Sequence, residues 1–158
     1  MASSRPLTLA NALALGVPAA LLAGAYAAQY GFDLYPCELC WWQRYPHFGA
    51  LALGLAGLFV PPRRLWITLA ALAVLASGVI GAFHAGVEYG WWEGFTTCSS
   101  TDLGGSSDPL EAIMNAPLIR CDVAQWTLWG ISLAGFNFLI STAGAIATFS
   151  LLGRKASA

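Results

Sequence analysis

Two cysteines, Cys37 and Cys40, lie three residues apart in Pro36-Cys37-Glu38-Leu39-Cys40-Trp41-Trp42-Gln43-Arg44, between two long apolar runs. At that spacing their sulfurs fall within one turn and can close a short, readily reduced disulfide. If Pro36 opens a helix, the backbone N–H groups at its start favour the Cys37 thiolate. Arg44 follows Cys40 by four residues and Cys37 by seven, the same side of a continuing helix. The chemistry indicated is thiol–disulfide exchange with a cation directed at the thiols. Pro46 disfavours helix at Tyr45, so that helix is expected to break before the next apolar run.

Other candidates surround this pair. Trp41, Trp42 and Tyr45 crowd the same place, either as an interfacial aromatic belt or as a flat slot for a ring-shaped, lipid-soluble partner. His84 and Glu88 are four apart, one helix face at the end of an apolar run, where ionisable groups pair with each other or serve a pathway. Two further cysteines, Cys98 and Cys121, stand far along the chain. A disulfide between them would contribute about 3 kcal/mol in the chain-entropy account, yet in an exposed loop it would be of the labile, oxidising kind. The four cysteines could also form a zinc cage, but Cys98 and Cys121 lack paired metal-ligand spacing, and no metal site is expected.

The elements that must position these residues are apolar. The chain is 158 residues, 58% hydrophobic and 9% charged, with mean hydropathy +0.64. A soluble domain carries charge on about a quarter of its residues. The net charge of −1 gives no sign of nucleic-acid binding. Residues 6–32, 45–62, 65–87 and 123–153 hold no Asp, Glu, Lys or Arg, and about 20 apolar residues suffice to cross a bilayer. The expected spans are therefore approximately 7–28, 46–60, 65–87 and 125–152, in one membrane domain covering 1–158. The first run is longer than a typical signal-peptide core of ~7–15 residues, so it is expected to be retained.

Charge sets the orientation. Arg5, Arg63, Arg64, Arg154 and Lys155 fall on one side, which the positive-inside rule makes cytoplasmic. All acidic residues and all four cysteines fall on the other, in outer loops 29–45 and 88–124. The thiols thus face the compartment in which disulfides persist. In the second loop, Asp108-Pro109-Leu110-Glu111 reads as a helix start and Pro117 as its stop, giving a short interfacial helix. The fold class expected is an all-α, four-transmembrane-helix bundle with both termini cytoplasmic. Two cysteine pairs on one face of such a bundle suggest an electron relay from a soluble thiol into the membrane. With no haem, iron–sulfur, flavin or nucleotide motif in view, a quinone is the acceptor that fits.

The motif Pro36-Cys37-x-x-Cys40 with Arg44, four spans, and Cys98 and Cys121 in the second outer loop resemble the DsbB family of disulfide bond formation proteins. His84-Ala-Gly-Val-Glu88-x-Gly-Trp-Trp, ending at Thr97-Cys98, is similar to a bacterial branch of that family, and the resemblance covers nearly the whole chain. An oxidising periplasm sustained kinetically through a quinone is a general property of this system. The resemblance implies a multi-pass protein of the bacterial inner membrane with its catalytic loops in the periplasm. The implied partner is a DsbA-like thioredoxin-fold oxidase whose cysteine attacks Cys98. Cys121 would then attack Cys37, and Cys40, released as a thiolate, would donate to quinone, ubiquinone first, in a charge-transfer complex or adduct. Arg44 would stabilise the thiolate and the reducing quinone, and His84 or Glu88 would stand near the ring and relay protons. Trp41 is the aromatic residue expected beside it.

Three competing readings remain. In vitamin-K-epoxide-reductase-like enzymes the loop pair precedes the Cys-x-x-Cys, the reverse of the order here. A DsbI-like enzyme would serve one special oxidase. A non-enzymatic four-span scaffold would carry only structural disulfides.

Overall fold

The computed structural model describes residues 5–94 and 120–154. Among these, four helices run in sequence: α1 (Arg5–Gly31), α2 (Glu38–Phe59), α3 (Arg63–Glu88) and α4 (Leu133–Gly153). A two-stranded hairpin, β1 (Thr127–Leu128) and β2 (Ile131–Ser132), precedes α4. Cys98 and the expected interfacial helix around 108–117 lie outside the described residues. Helices α1, α3 and α4 are long and apolar enough to cross a membrane. Helix α2 has the length but begins with Glu38, Gln43, Arg44 and His47 in its first turns.

Small residues bring the helices together. Ala10 and Ala14 of α1 pack with Ile67 and Ala70 of α3 near one end, and Ala50, Val74 and Ala145 form the middle. Cys37, Leu39, Val87 and Cys121 make the core of the other end. Helix α3 packs against α2 and α4, and α1 closes the bundle against α4 and α2. At Gly81 a Cβ would lie 2.9 Å from Asn137 Nδ2 and 3.0 Å from the Ala134 carbonyl, so only glycine lets α3 approach α4 this closely.

Two sequence expectations change here. Helix α2 runs unbroken through Pro46. A proline removes a backbone donor and frees carbonyls in the preceding turn. In the same stretch the buried Ser77 hydroxyl of α3 donates to the Gln43 carbonyl at 2.8 Å, tying α2 to α3 beside the proline. Cys40, Arg44 and His47 therefore share one rigid element. The fourth helix does not start near Gln125. Thr127 pairs with Ser132 and Leu128 with Ile131, around Trp129 (φ 51) and Gly130 (φ 78). Two central residues with positive φ match the twist of a tight hairpin. Ser132 then caps α4, its hydroxyl accepting the Gly135 N–H at 3.1 Å.

The opposite end is held by arginines. Arg63 Nε donates to the Gly57 carbonyl at 2.9 Å and Arg64 Nη1 to the Leu152 carbonyl at 3.2 Å. Each cation meets the exposed carbonyls at a helix C-terminus, where the macrodipole favours it.

Candidate active site

The cysteine pair sits at the start of α2, with Cys37 as the N-cap and Pro36 just outside the helix. The proline does not open the helix, and this alters the roles of the two thiols. Cys37 Sγ accepts the Cys40 N–H at 3.3 Å and donates its own proton to Cys40 Sγ at 3.0 Å. The hydrogen bond to Cys40, then burial, push the Cys37 thiol well above its ordinary range. Cys40, the sulfur that receives this hydrogen bond, is the better placed of the two to hold negative charge, in place of Cys37 as the position of Pro36 implied. Cys37 is also the more buried of the two. Thiolate, not thiol, is the reactive form. In the reduced protein at pH 8, iodoacetamide is expected to modify Cys40 at least about tenfold faster than Cys37. Peptide mapping over a time course measures this, and equal rates would contradict the assignment.

The return segment of the second loop is anchored over this pair. Gln125 Nε2 donates to the Tyr35 carbonyl at 2.7 Å, tying the segment to the chain just before Cys37. Tyr89, after α3, donates to the Gly130 carbonyl at 3.1 Å and accepts the Ser132 N–H at 3.0 Å, fixing the hairpin. An exposed ion pair, Arg120 Nε to Asp122 Oδ1 at 2.9 Å, brackets Cys121. As a result Cys121 is buried against Cys37, Leu39 and Val87. The side-chain ligand atoms of Cys37, His84 and Cys121 all lie within 4.8 Å of one another. Cys121 is disulfide-bonded, whereas Cys37 and Cys40 are free thiols. A sulfur already in a disulfide is a poor metal ligand, and the site's geometry suits sulfur exchange.

His84 and Glu88 stand where their spacing predicted. His84 Nε2 is 3.6 Å from Cys37 Sγ and 3.7 Å from Glu88 Oε1. Its other nitrogen, Nδ1, receives Gln43 Nε2 at 2.8 Å. Glu88 also meets the Ser132 side chain, while its Oε2 is buried without a partner.

Arg44 is held by α1, and this could not be read from its spacing to the cysteines. Its guanidinium donates to Gln29 Oε1 at 2.7 Å and to the Ala25 carbonyl at 3.3 Å. Tyr26 and Trp41 face it with ring centroids at 4.8 and 4.9 Å, two cation–π contacts. Trp41 thus supports Arg44 and stacks on Tyr45; it is not part of the cavity wall. That cavity, of about 380 Å³, is bounded by Cys37, Cys40, Arg44, His84 and Glu88 together with apolar residues of α1 and α4 such as Leu21 and Ile140.

Sequence reasoning missed a buried polar network behind the cavity. Gln43 donates to the Leu39 carbonyl at 3.1 Å and accepts Asn137 Nδ2 at 2.8 Å. Asn137 also donates to the Ser77 carbonyl at 3.1 Å, and its Oδ1 lies 2.9 Å from His47 Nε2. The available signal was the presence of Gln43, His47, Ser77 and Asn137 within otherwise apolar segments, since polar groups at membrane depth are costly without partners.

The chain matches the family described as Disulfide bond formation protein DsbB over residues 7–151. It belongs to the DsbB family. A disulfide bond formation protein B of Dechloromonas aromatica is 33% identical over 144 residues, covering 84% of this chain and 83% of that protein. One of a Polaromonas species is 31% identical over 145 residues, covering 87% and 85%. An uncharacterized protein of Rickettsia prowazekii is 25% identical over 136 residues, covering 83% and 79%. No solved structure matches the chain. DsbB membership and three helices of spanning length and apolarity make this a helical membrane protein of disulfide bond formation.

Proposed function

We propose that the protein is a quinone-linked protein-disulfide oxidoreductase of the bacterial inner membrane, reoxidising a DsbA-like thioredoxin-fold protein in the periplasm. One observation carries this reading: buried Cys37 is in reach of Cys121 on one side and of Cys40 on the other, and Cys40 borders an apolar cavity. Electrons entering at a soluble loop thus have a short route to a lipid-accessible space. All four helices cross the bilayer in this reading. Helix α2, with 22 residues, is about 33 Å long. The cations Arg5, Arg63, Arg64, Arg154 and Lys155 mark the cytoplasmic end.

In the proposed cycle a thiolate of the reduced partner attacks Cys98 and breaks a Cys98–Cys121 disulfide. The Cys121 thiolate attacks Cys37 of the oxidised Cys37–Cys40 pair and releases Cys40 as a thiolate. The partner's second thiol then attacks the mixed disulfide, completing the partner's own disulfide and releasing Cys98 as a thiolate. Cys98 attacks Cys121, which re-forms the loop disulfide and releases Cys37, and the reduced Cys37–Cys40 pair would return to its disulfide by passing two electrons to quinone. Overall, one dithiol loses two electrons and two protons, and one quinone takes them up as the hydroquinone. Ubiquinone is the first candidate acceptor.

Each residue has a task suited to its surroundings. Cys40 presents the charge, and Arg44, fixed by α1, offers a preorganised cation on the same cavity wall. Gln43 makes Nδ1 of His84 the acceptor, so Nε2–H faces Cys37 and Glu88. Glu88, with one carboxylate oxygen unpartnered on the cavity wall, completes a proton route from thiol to quinone.

The test combines the full-length protein in lipid nanodiscs, a reduced DsbA-like oxidase and ubiquinone-1. Loss of the oxidised-quinone absorbance is expected only when all three are present, with one partner disulfide formed per quinone reduced. Partner oxidation without quinone reduction would overturn the quinone assignment.

A further inference from the structure

His47 is 3% exposed, borders the cavity, and has one buried nitrogen, Nδ1, without a partner. Its surroundings fix which nitrogen carries the proton. Asn137 Nδ2 faces the main-chain Ser77 carbonyl, so Oδ1 is the atom 2.9 Å from His47 Nε2. Ser77 Oγ is also 2.9 Å from Nε2, and its own proton goes to the Gln43 carbonyl. Every group around Nε2 therefore accepts. Neutral His47 carries its proton on Nε2 and presents a bare lone pair at Nδ1.

A buried acceptor without a donor carries the full cost of its lost hydration, and a ligand hydroxyl would remove that penalty. The carbonyl oxygens of an oxidised quinone bring no proton to Nδ1. The hydroxyls of the reduced ring do. His47 lies three residues beyond Arg44 on continuous α2, about 4.5 Å further along the helix axis. It is thus displaced inward from Cys40 on the same wall.

We infer that His47 Nδ1 accepts a hydroxyl of the hydroquinone, so that the cavity binds the reduced ring more tightly than the oxidised one. This rests on the quinone reading and adds a residue and a redox preference to it. A tenfold preference corresponds to a two-electron potential about 30 mV higher for the bound ring than for the free one. The site would thereby draw electrons out of the thiols. The same amide pair, Gln43 and Asn137, sets both histidines oppositely, His84 as a donor toward sulfur through Nε2 and His47 as an acceptor through Nδ1.

The test uses full-length protein in nanodiscs with the Cys37–Cys40 pair oxidised, so that neither ubiquinone-1 nor ubiquinol-1 is turned over. Dissociation constants are measured for both ligands. His47→Gln keeps an amide near the Nε2 position, in contact with Asn137 and Ser77, and removes the acceptor at Nδ1. It is expected to weaken ubiquinol-1 binding about tenfold and to leave ubiquinone-1 within twofold. Equal weakening of both ligands, or of neither, would overturn the role of His47 while leaving the quinone reading intact. Wild-type protein that binds neither ligand would overturn the quinone reading and this inference together. Independently of any variant, ¹⁵N-histidine spectra of the wild type should report an unprotonated Nδ1 at His47 that shifts only when ubiquinol-1 binds. A protonated Nδ1 in the ligand-free protein would overturn the inference.

Discussion

Replacing Cys40 with serine is expected to lower steady-state quinone reduction by at least about a thousandfold, the scale on which enzymes lose rate when a reacting atom is deleted. With serine there, no Cys37–Cys40 disulfide exists for the Cys121 thiolate to attack, and no second sulfur borders the cavity. The first half of the cycle does not require Cys40. About one equivalent of reduced partner should therefore still be oxidised in a single turnover, at a rate close to wild type. The fold should tolerate the change, because a serine oxygen can accept the Cys37 proton as Cys40 Sγ does at 3.0 Å. A scaffold with structural disulfides predicts the reverse, a lower apparent Tm with no electron flow to lose. Stopped-flow partner oxidation, steady-state quinone absorbance and a thermal melt on one preparation separate the two. Undiminished turnover in Cys40→Ser would end the relay reading.

What the sequence revealed follows from which interactions are local. Helix-length apolar runs and the i,i+4 relation of His84 and Glu88 are local properties of the chain; three of the four runs appear as helices long and apolar enough to cross a membrane, and His84 and Glu88 meet across one turn. The continuity of α2 through Pro46 was not readable, because it depends on packing against other helices, such as the Ser77 hydroxyl on the Gln43 carbonyl. Arg44 could be placed on the cysteine face from its spacing. Its actual partners, Gln29, Ala25 and Tyr26, belong to α1 and depend on how the bundle closes. Residues 127–132 lie inside an uncharged run, and nothing in that run distinguishes a hairpin from an early helical turn until Tyr89 provides an anchor. His47 was overlooked for the related reason that its role depends on Asn137, ninety positions away.

Arg44→Ala is expected to raise the apparent KM for ubiquinone-1 by about 10- to 100-fold, the equivalent of one charged hydrogen bond of about 1.5–3 kcal/mol. The KM for the protein partner should stay within about twofold. The asymmetry follows from position. Arg44 lies on the cavity wall behind Cys40, whereas the partner would engage the second loop, whose return segment is held by Tyr35 and Tyr89. Lysine is not a conservative replacement here. The guanidinium meets two acceptors on α1 while also lying over the Tyr26 and Trp41 rings, and a planar fork satisfies both conditions where a rotating ammonium does not. Arg44→Lys is therefore expected to remain nearer the alanine variant than wild type in KM for quinone. Trp41→Phe, which keeps an aromatic face but weakens the cation–π contact, should fall between wild type and Arg44→Ala. If Arg44→Ala raised both KM values equally, its effect would be a general loosening of α1 from α2. The cation would then have no separate role at the quinone.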